Sequence, residues 1–129
     1  MDPRPRDALG RPLPRDAGPD LVVAGIDETA PRSDESAWAE AIGYLDAGRP
    51  FHAHEVFEAR WRQAPRSERD AWRGLAQWGA ALTHEARGNS VGAARLAARG
   101  MRTIEQAPTV PSCIDLDRVH DSCMRLMAE

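Results

Sequence analysis

The ten residues from His52 to Trp61, HAHEVFEARW, bring two histidines and two glutamates together. The stretch opens like a zinc-protease helix, but Glu58 stands where that pattern puts its second histidine. On a helical wheel of about 100° per residue, His54 and Glu58 fall within about 40° of each other. Phe51, Phe57 and Trp61 flank them, so the wheel places the pair in the middle of an aromatic face. Glu55 falls at the border of that face, and His52 falls on the opposite, outer side. The apparent His-x-His pair therefore dissolves. What remains is a His–Glu pair at i, i+4, whose Cβ atoms on a helix are ~5–6 Å apart.

A carboxylate on such a face needs a partner or a proton, because burying it alone is costly. Two arrangements satisfy Glu58. His54 can be protonated and hydrogen-bonded to it as a structural pair, or both can turn toward a divalent metal as neutral imidazole and carboxylate ligands. A metal needs a third ligand. Gln77 and His84, seven residues apart on the next helix, share one stripe, with Ala80 and Ala81 leaving room beside them. His54, Glu58 and His84, with Glu55 close by, make a two-His, two-carboxylate set of the kind bundles use for metals. His120 has no spacing that supports it. Glu55 is then the candidate general base, and Phe51, Trp61 and Gln77 are the candidate binding residues.

Helices must carry these residues. Ser33 is a plausible N-cap, followed at helical spacing by Trp38, Ala41, Ile42 and Leu45 until Gly48. Pro50 suits the first turn of a second helix that runs to about Ala64, before Pro65. Ser67 with Asp70 resembles a capping box for a third helix reaching Arg87 and carrying Trp72, Leu75, Trp78 and Leu82. Ser90 can cap a fourth helix bearing Ala93, Leu96, Ala97, Gly100, Met101 and Ile104. Pro108 and Pro111 break the chain again, and a fifth helix from about Leu116 presents Val119, Cys123, Leu126 and Met127. The order Leu45…Gly48…Ala53…Phe57 is echoed by Leu82…Gly88…Ala93…Ala97, two helix–glycine–helix turns. The expectation is an all-α bundle of about five helices built from antiparallel hairpins.

Composition bounds the rest. The chain has 129 residues, enough for one domain with a real core. Six of its ten prolines fall within residues 1–32, so this stretch reads as a Pro/Arg-rich extended arm ahead of a helical domain over 33–129. Within the arm, LVVAGI (Leu21 to Ile26) is the one apolar patch, able to dock as an extended segment or form a short strand. No apolar run reaches the ~20 residues of a membrane span, and MDPRPRD lacks the apolar segment of a secretory signal, which points to a cytoplasmic protein. Cys113 and Cys123 read as reduced, partly buried thiols. All seventeen basic residues are arginine, yet the net charge is −3, and that balance argues against nucleic acid as the partner.

Two segments, GRPFHAHEVFEARWR (Gly48 to Arg62) and GLAQWGAALTHEARGNSVGA (Gly74 to Ala93), resemble the bacterial and archaeal domain-of-unknown-function family 309. The resemblance spans about residues 34–107. Its pattern falls on Phe51, His54, Glu55, Glu58 and Trp61, then on Gln77, His84 and Gly88-Asn89. The chain departs at His52, where the family usually carries glutamate. The resemblance implies a compact all-α fold and, from the label some members carry, a metal-dependent hydrolase. Two functions stand side by side. One is a hydrolase with a divalent ion on His54, Glu58 and His84 and with Glu55 as base. The other is a helical interaction or ligand-binding module in which His54–Glu58 is structural and no cofactor is needed, its partner a small molecule, a protein or a second copy in a homodimer. A third reading, phosphate-bearing ligands on Arg60, Arg62, Arg66, Arg69 and Arg73, competes with a plain solvated face.

Overall fold

The computed structural model describes residues 25–128. Its helices are α1 (Asp34–Asp46), α2 (Pro50–Gln63), α3 (Arg69–Ala86), α4 (Ser90–Glu105) and α5 (Leu116–Ala128), with a 3-10 turn at Arg66–Glu68 before α3. No strand occurs among the described residues. The all-α expectation holds, and four of the five helices start or stop within about two residues of where capping and proline signals put them. The proline-rich arm over residues 1–24, including Leu21 to Ala24, lies outside the described residues. Ile26 packs on the core, and the segment behind it is tied down by Gln63, which accepts from the Arg32 N–H and donates to the Ala30 carbonyl.

The helices form a chain of antiparallel neighbours: α1 on α2, α2 on α3, α3 on α4 and α4 on α5. The 18-residue α3 is the central element, and the small residues along it set the spacing. A Cβ on Gly74 would lie 3.0 Å from the Gly100 carbonyl oxygen, and one on Gly79 would lie 2.9 Å from the His54 Cα. At both crossings the partner backbone occupies the space a side chain would need. Behind α3, Trp38, Phe57, Trp72 and Trp78 form an aromatic core with ring centroids 6.0–6.4 Å apart. The buried indole of Trp78 donates to Ser122 Oγ on α5 at 2.9 Å.

Two turns share one geometry, and it matches the echo in the sequence. Gly48 and Gly88 sit at φ 74° and 83°, the left-handed region that glycine enters without steric cost. Behind them, Arg49 N–H donates to the Tyr44 carbonyl and Asn89 N–H to the His84 carbonyl, each at 2.8 Å. These are paired Schellman turns, closing α1 and α3 in the same way.

Two caps differ from expectation. Ser67 and Asp70 form no capping box, because the Arg66–Glu68 turn leads straight into α3 and its backbone bonds replace the side-chain cap. At α4 the cap is Asn89, whose Oδ1 accepts from Gly92 N–H at 2.9 Å, and Ser90 is already inside the helix. Ser33 caps α1 as expected, in a reciprocal box with Ser36. Cys113 and Cys123 are free thiols, and burial pushes Cys123 up to about 11.

Candidate functional site

The site begins where α2 crosses α3. With no side chain at Gly79, the α2 backbone comes down onto α3 at His54, and its imidazole turns outward beside Ala80. One turn along, Glu58 meets it: His54 Nε2 and Glu58 Oε2 are 3.2 Å apart. Burial is the largest influence on His54 and holds its pKa below 6.5 despite the carboxylate, so the ring is neutral at pH 7. A neutral imidazole keeps one N–H, and a proton on Nε2 faces the Glu58 carboxylate across this gap. Glu58 is held from its other side by Arg62, 3.6 Å from Oε1.

The pair is not the buried centre of α2. The His54 and Glu58 side chains are 24% and 33% exposed, whereas His52, expected on the outer side, is 1% exposed. Because α2 is packed between α1 and α3, its buried arc is wide and runs through His52, Ala53, Val56, Phe57 and Ala59. The His52 ring lies 5.5 Å from that of Tyr44 on α1. The aromatic trio did not mark the middle of the core face: Phe57 points into the core, while Phe51 and Trp61 stand half-buried at its edge.

Two recesses open on this edge and share His54 and Ala80. One, of about 280 Å³, is walled by Trp61, Gln77, Ala76, Leu96 and Arg73, with Glu58 alongside His54. The other, of about 150 Å³, is walled by Phe51, Thr83, His84 and Arg87. Together they make a furrow with α3 as its floor and α2 along one side, and Leu96 of α4 faces the first recess. In that recess Gln77 Oε1 is buried without a hydrogen-bond partner among the described residues. Glu55 is half-buried on α2 and lines neither recess.

His84 lines the second recess with its role fixed by the α4 cap. Asn89 Oδ1 is occupied by Gly92 N–H, so its amide NH2 faces His84 Nδ1 at 3.1 Å, and Nδ1 is the acceptor. With Nδ1 accepting, the ring proton sits on Nε2, which offers a donor to the recess and not a lone pair. His54 likewise spends Nε2 on Glu58. Among the described residues no three of His, Cys, Asp and Glu are gathered in the manner of a metal cage. The furrow brings His54, Glu58, Gln77 and Trp61 together in one recess, and Phe51 and His84 in its neighbour. As they stand, these donors do not fit a metal centre: a carboxylate and one committed imidazole lie together, and the second imidazole is committed elsewhere.

Sequence reasoning missed the strongest polar cluster. Asp34 Oδ1 accepts from Arg60 Nε and Nη2 at 3.1 and 2.7 Å and from Trp72 Nε1 at 3.1 Å. Arg60 Nη1 also donates to the Arg32 carbonyl, and the guanidinium lies 5.9 Å from the Trp72 ring centroid. Arg60 therefore belongs to a buried junction of α1, α2 and α3 and not to a solvated face. Glu68 borders it, its carboxyl raised above 4.5 by burial and by Asp34. Nothing in the local spacing of Asp34 announced this, because its partners are 26 and 38 residues away.

Comparison with known proteins agrees with the helical motifs. A stretch of 78 residues, 60% of the chain, is 33% identical to a Bacillus subtilis (strain 168) protein named Uncharacterized protein YpuF. The match spans 44% of that relative's length, less than half of it. No solved structure matches the chain. Residues 38–96, from Trp38 in α1 to Leu96 on the furrow wall, match the family model described as Domain of unknown function (DUF309).

Proposed function

We propose that the chain is a helical ligand-binding module whose site is the furrow between α2, α3 and α4. Gln77 carries this reading: a buried amide oxygen without a partner among the described residues, on the wall of a recess, is stabilised by a ligand that donates to it. Glu58 offers a second acceptor, and Trp61, Ala76 and Leu96 offer apolar contact. The combination suits a small amphipathic molecule with a flat apolar body and one or two N–H or O–H groups on one edge. His54 holds Glu58 in place, and His84 adds a donor in the adjoining recess.

A metal-dependent hydrolase is the competing function. It would need His54 to give up its bond to Glu58 and a third donor to join them, and Glu55 lies outside both recesses. The ligand-binding reading asks for no such rearrangement.

Thermal-shift screening of a small-molecule panel tests it, with Ala80→Phe as the variant that fills the floor of both recesses. Compounds that raise the melting temperature of the natural protein should lose their effect on Ala80→Phe. If the same compounds stabilise the filled variant equally, the furrow is not their site.

A further inference from the structure

The net charge of −3 hides a strong segregation. Between Arg69 and Glu105, the α3–α4 hairpin, six arginines stand against three carboxylates, Asp70, Glu85 and Glu105. Outside the hairpin several arginines meet carboxylates: Arg32 with Glu40, Arg60 with Asp34, Arg62 with Glu58, Arg118 with Asp46 and Arg125 with Glu85. Arg66, Arg69, Arg73, Arg95, Arg99 and Arg102 are all exposed, and among the described residues no carboxylate pairs with any of them.

Their positions follow two lines along the furrow. On α3, the spacing of Arg69, Arg73, Gln77, Ala80, His84 and Arg87 puts them on a single stripe, the floor of the furrow. On α4, Arg95, Arg99 and Arg102 share the outer stripe, with Arg99 within about 60° of Leu96, which lines the furrow wall. The two helices are in close contact here, since a Cβ on Gly100 would lie 3.5 Å from the Gln77 Cβ. Arg73, which pairs with no carboxylate among the described residues, therefore lines a recess that also holds the half-buried Trp61 and hydrogen-bonding groups, and Arg99 stands nearest its α4 rim.

We propose that this face binds single-stranded nucleic acid, with the arginines along the phosphodiester backbone and a base in the recess against Trp61. An extended line of arginines on two helices suits a polyanion better than a single phosphate. An aromatic wall in a basic groove takes an unpaired base, whereas a duplex keeps its base faces stacked. A membrane surface fits less well: the exposed large apolar side chains, Val91, Leu116 and Met124, lie on the first turn of α4 and on α5 and are not interleaved with the arginine stripes. The placement of a base rests on the furrow being a ligand site; the arginine stripes are independent of it.

Fluorescence anisotropy with labelled unstructured RNA and DNA oligomers of about ten nucleotides tests the proposal, in low and moderate salt. Binding should weaken with salt, and Arg95→Ala with Arg99→Ala should lower the logarithmic salt slope by roughly one to two and weaken affinity about tenfold. Arg118→Ala, on α5 and paired with Asp46, should bind as the natural protein does. Ala80→Phe should weaken binding while leaving the salt slope unchanged. The proposal is overturned by absence of binding at low salt, by equal or tighter binding to duplex or to phosphatidylglycerol vesicles, or by indifference to the arginine pair. If no oligomer binds but small molecules still stabilise the protein through the furrow, only this inference fails; if neither binds, the furrow reading fails with it.

Discussion

Asp34 and Arg60, 26 residues apart, meet through two hydrogen bonds on a single carboxylate oxygen, which also accepts from the Trp72 indole. One side chain thereby locks the start of α1 to the last turn of α2 and the first turn of α3. The Arg60 and Asp34 side chains are 11% and 19% exposed, so water cannot easily replace a lost partner. Asp34→Ala leaves a guanidinium and an indole N–H without their acceptor and should cost about 2–4 kcal/mol in urea denaturation. Loss of less than about 0.5 kcal/mol would show that the junction is ornamental.

The crossing at Gly79 should be equally sensitive. A methyl group there meets the His54 backbone at 2.9 Å, and backbone cannot swing aside as a flexible side chain can. Gly79→Ala is expected to destabilise by about 1–3 kcal/mol although alanine is the better helix former. It should also displace His54, which backbone amide shifts in α2 would report. A neutral or stabilising effect would contradict so close an approach.

The His54–Glu58 pair carries a pH signature. Burial lowers the His54 pKa in the folded state, so the unfolded chain binds the extra proton first as pH falls below about 6.5. Stability is therefore full above that value and declines toward lower pH, through the folded-state pKa. Glu68 acts with the opposite sign: its raised pKa costs stability as pH rises from 4.5 through the folded value. Comparing His54→Gln with the natural protein isolates the histidine, and the variant should have the flatter profile between pH 7 and 5. The half-exposed pair itself is modest: Glu58→Ala should cost about 1 kcal/mol or less, not the larger penalty of a buried ion pair.

Metal content separates the two functions. With His54 Nε2 committed to Glu58 and His84 Nδ1 to Asn89, protein purified without chelators should hold well under one equivalent of any divalent ion by elemental analysis. Chelation should leave its melting temperature unchanged. Near-stoichiometric metal that disappears in both His54→Ala and Glu58→Ala would restore the hydrolase.

Where the sequence was legible, the signal was local. Ser33, Pro50, Gly48, Gly88 and Pro65 punctuate the helices through their own backbone chemistry, and the structure follows them closely. The i, i+4 contact of His54 with Glu58 was legible for the same reason. Which arc of α2 is buried was not, because that depends on α1 and α3 packing from two sides, and a wheel centred on aromatic residues assumes one. His52 went to the wrong side on that assumption. Arg60 and Asp34 were hidden by their separation in sequence, and the basic character of the α3–α4 face was averaged away by carboxylates elsewhere, four of them on α1.

The most direct measurement follows side-chain N–H signals in 1H–15N NMR spectra while a small-molecule panel is titrated. If the furrow is the ligand site, binders shift the Gln77 amide and the Trp61 indole and leave the Trp78 indole, bonded to Ser122, in place. Binders that move the backbone amides of Val119 and Leu116 in the apolar recess between α4 and α5, with the Gln77 side chain still, would contradict it, as would a panel in which nothing moves Gln77.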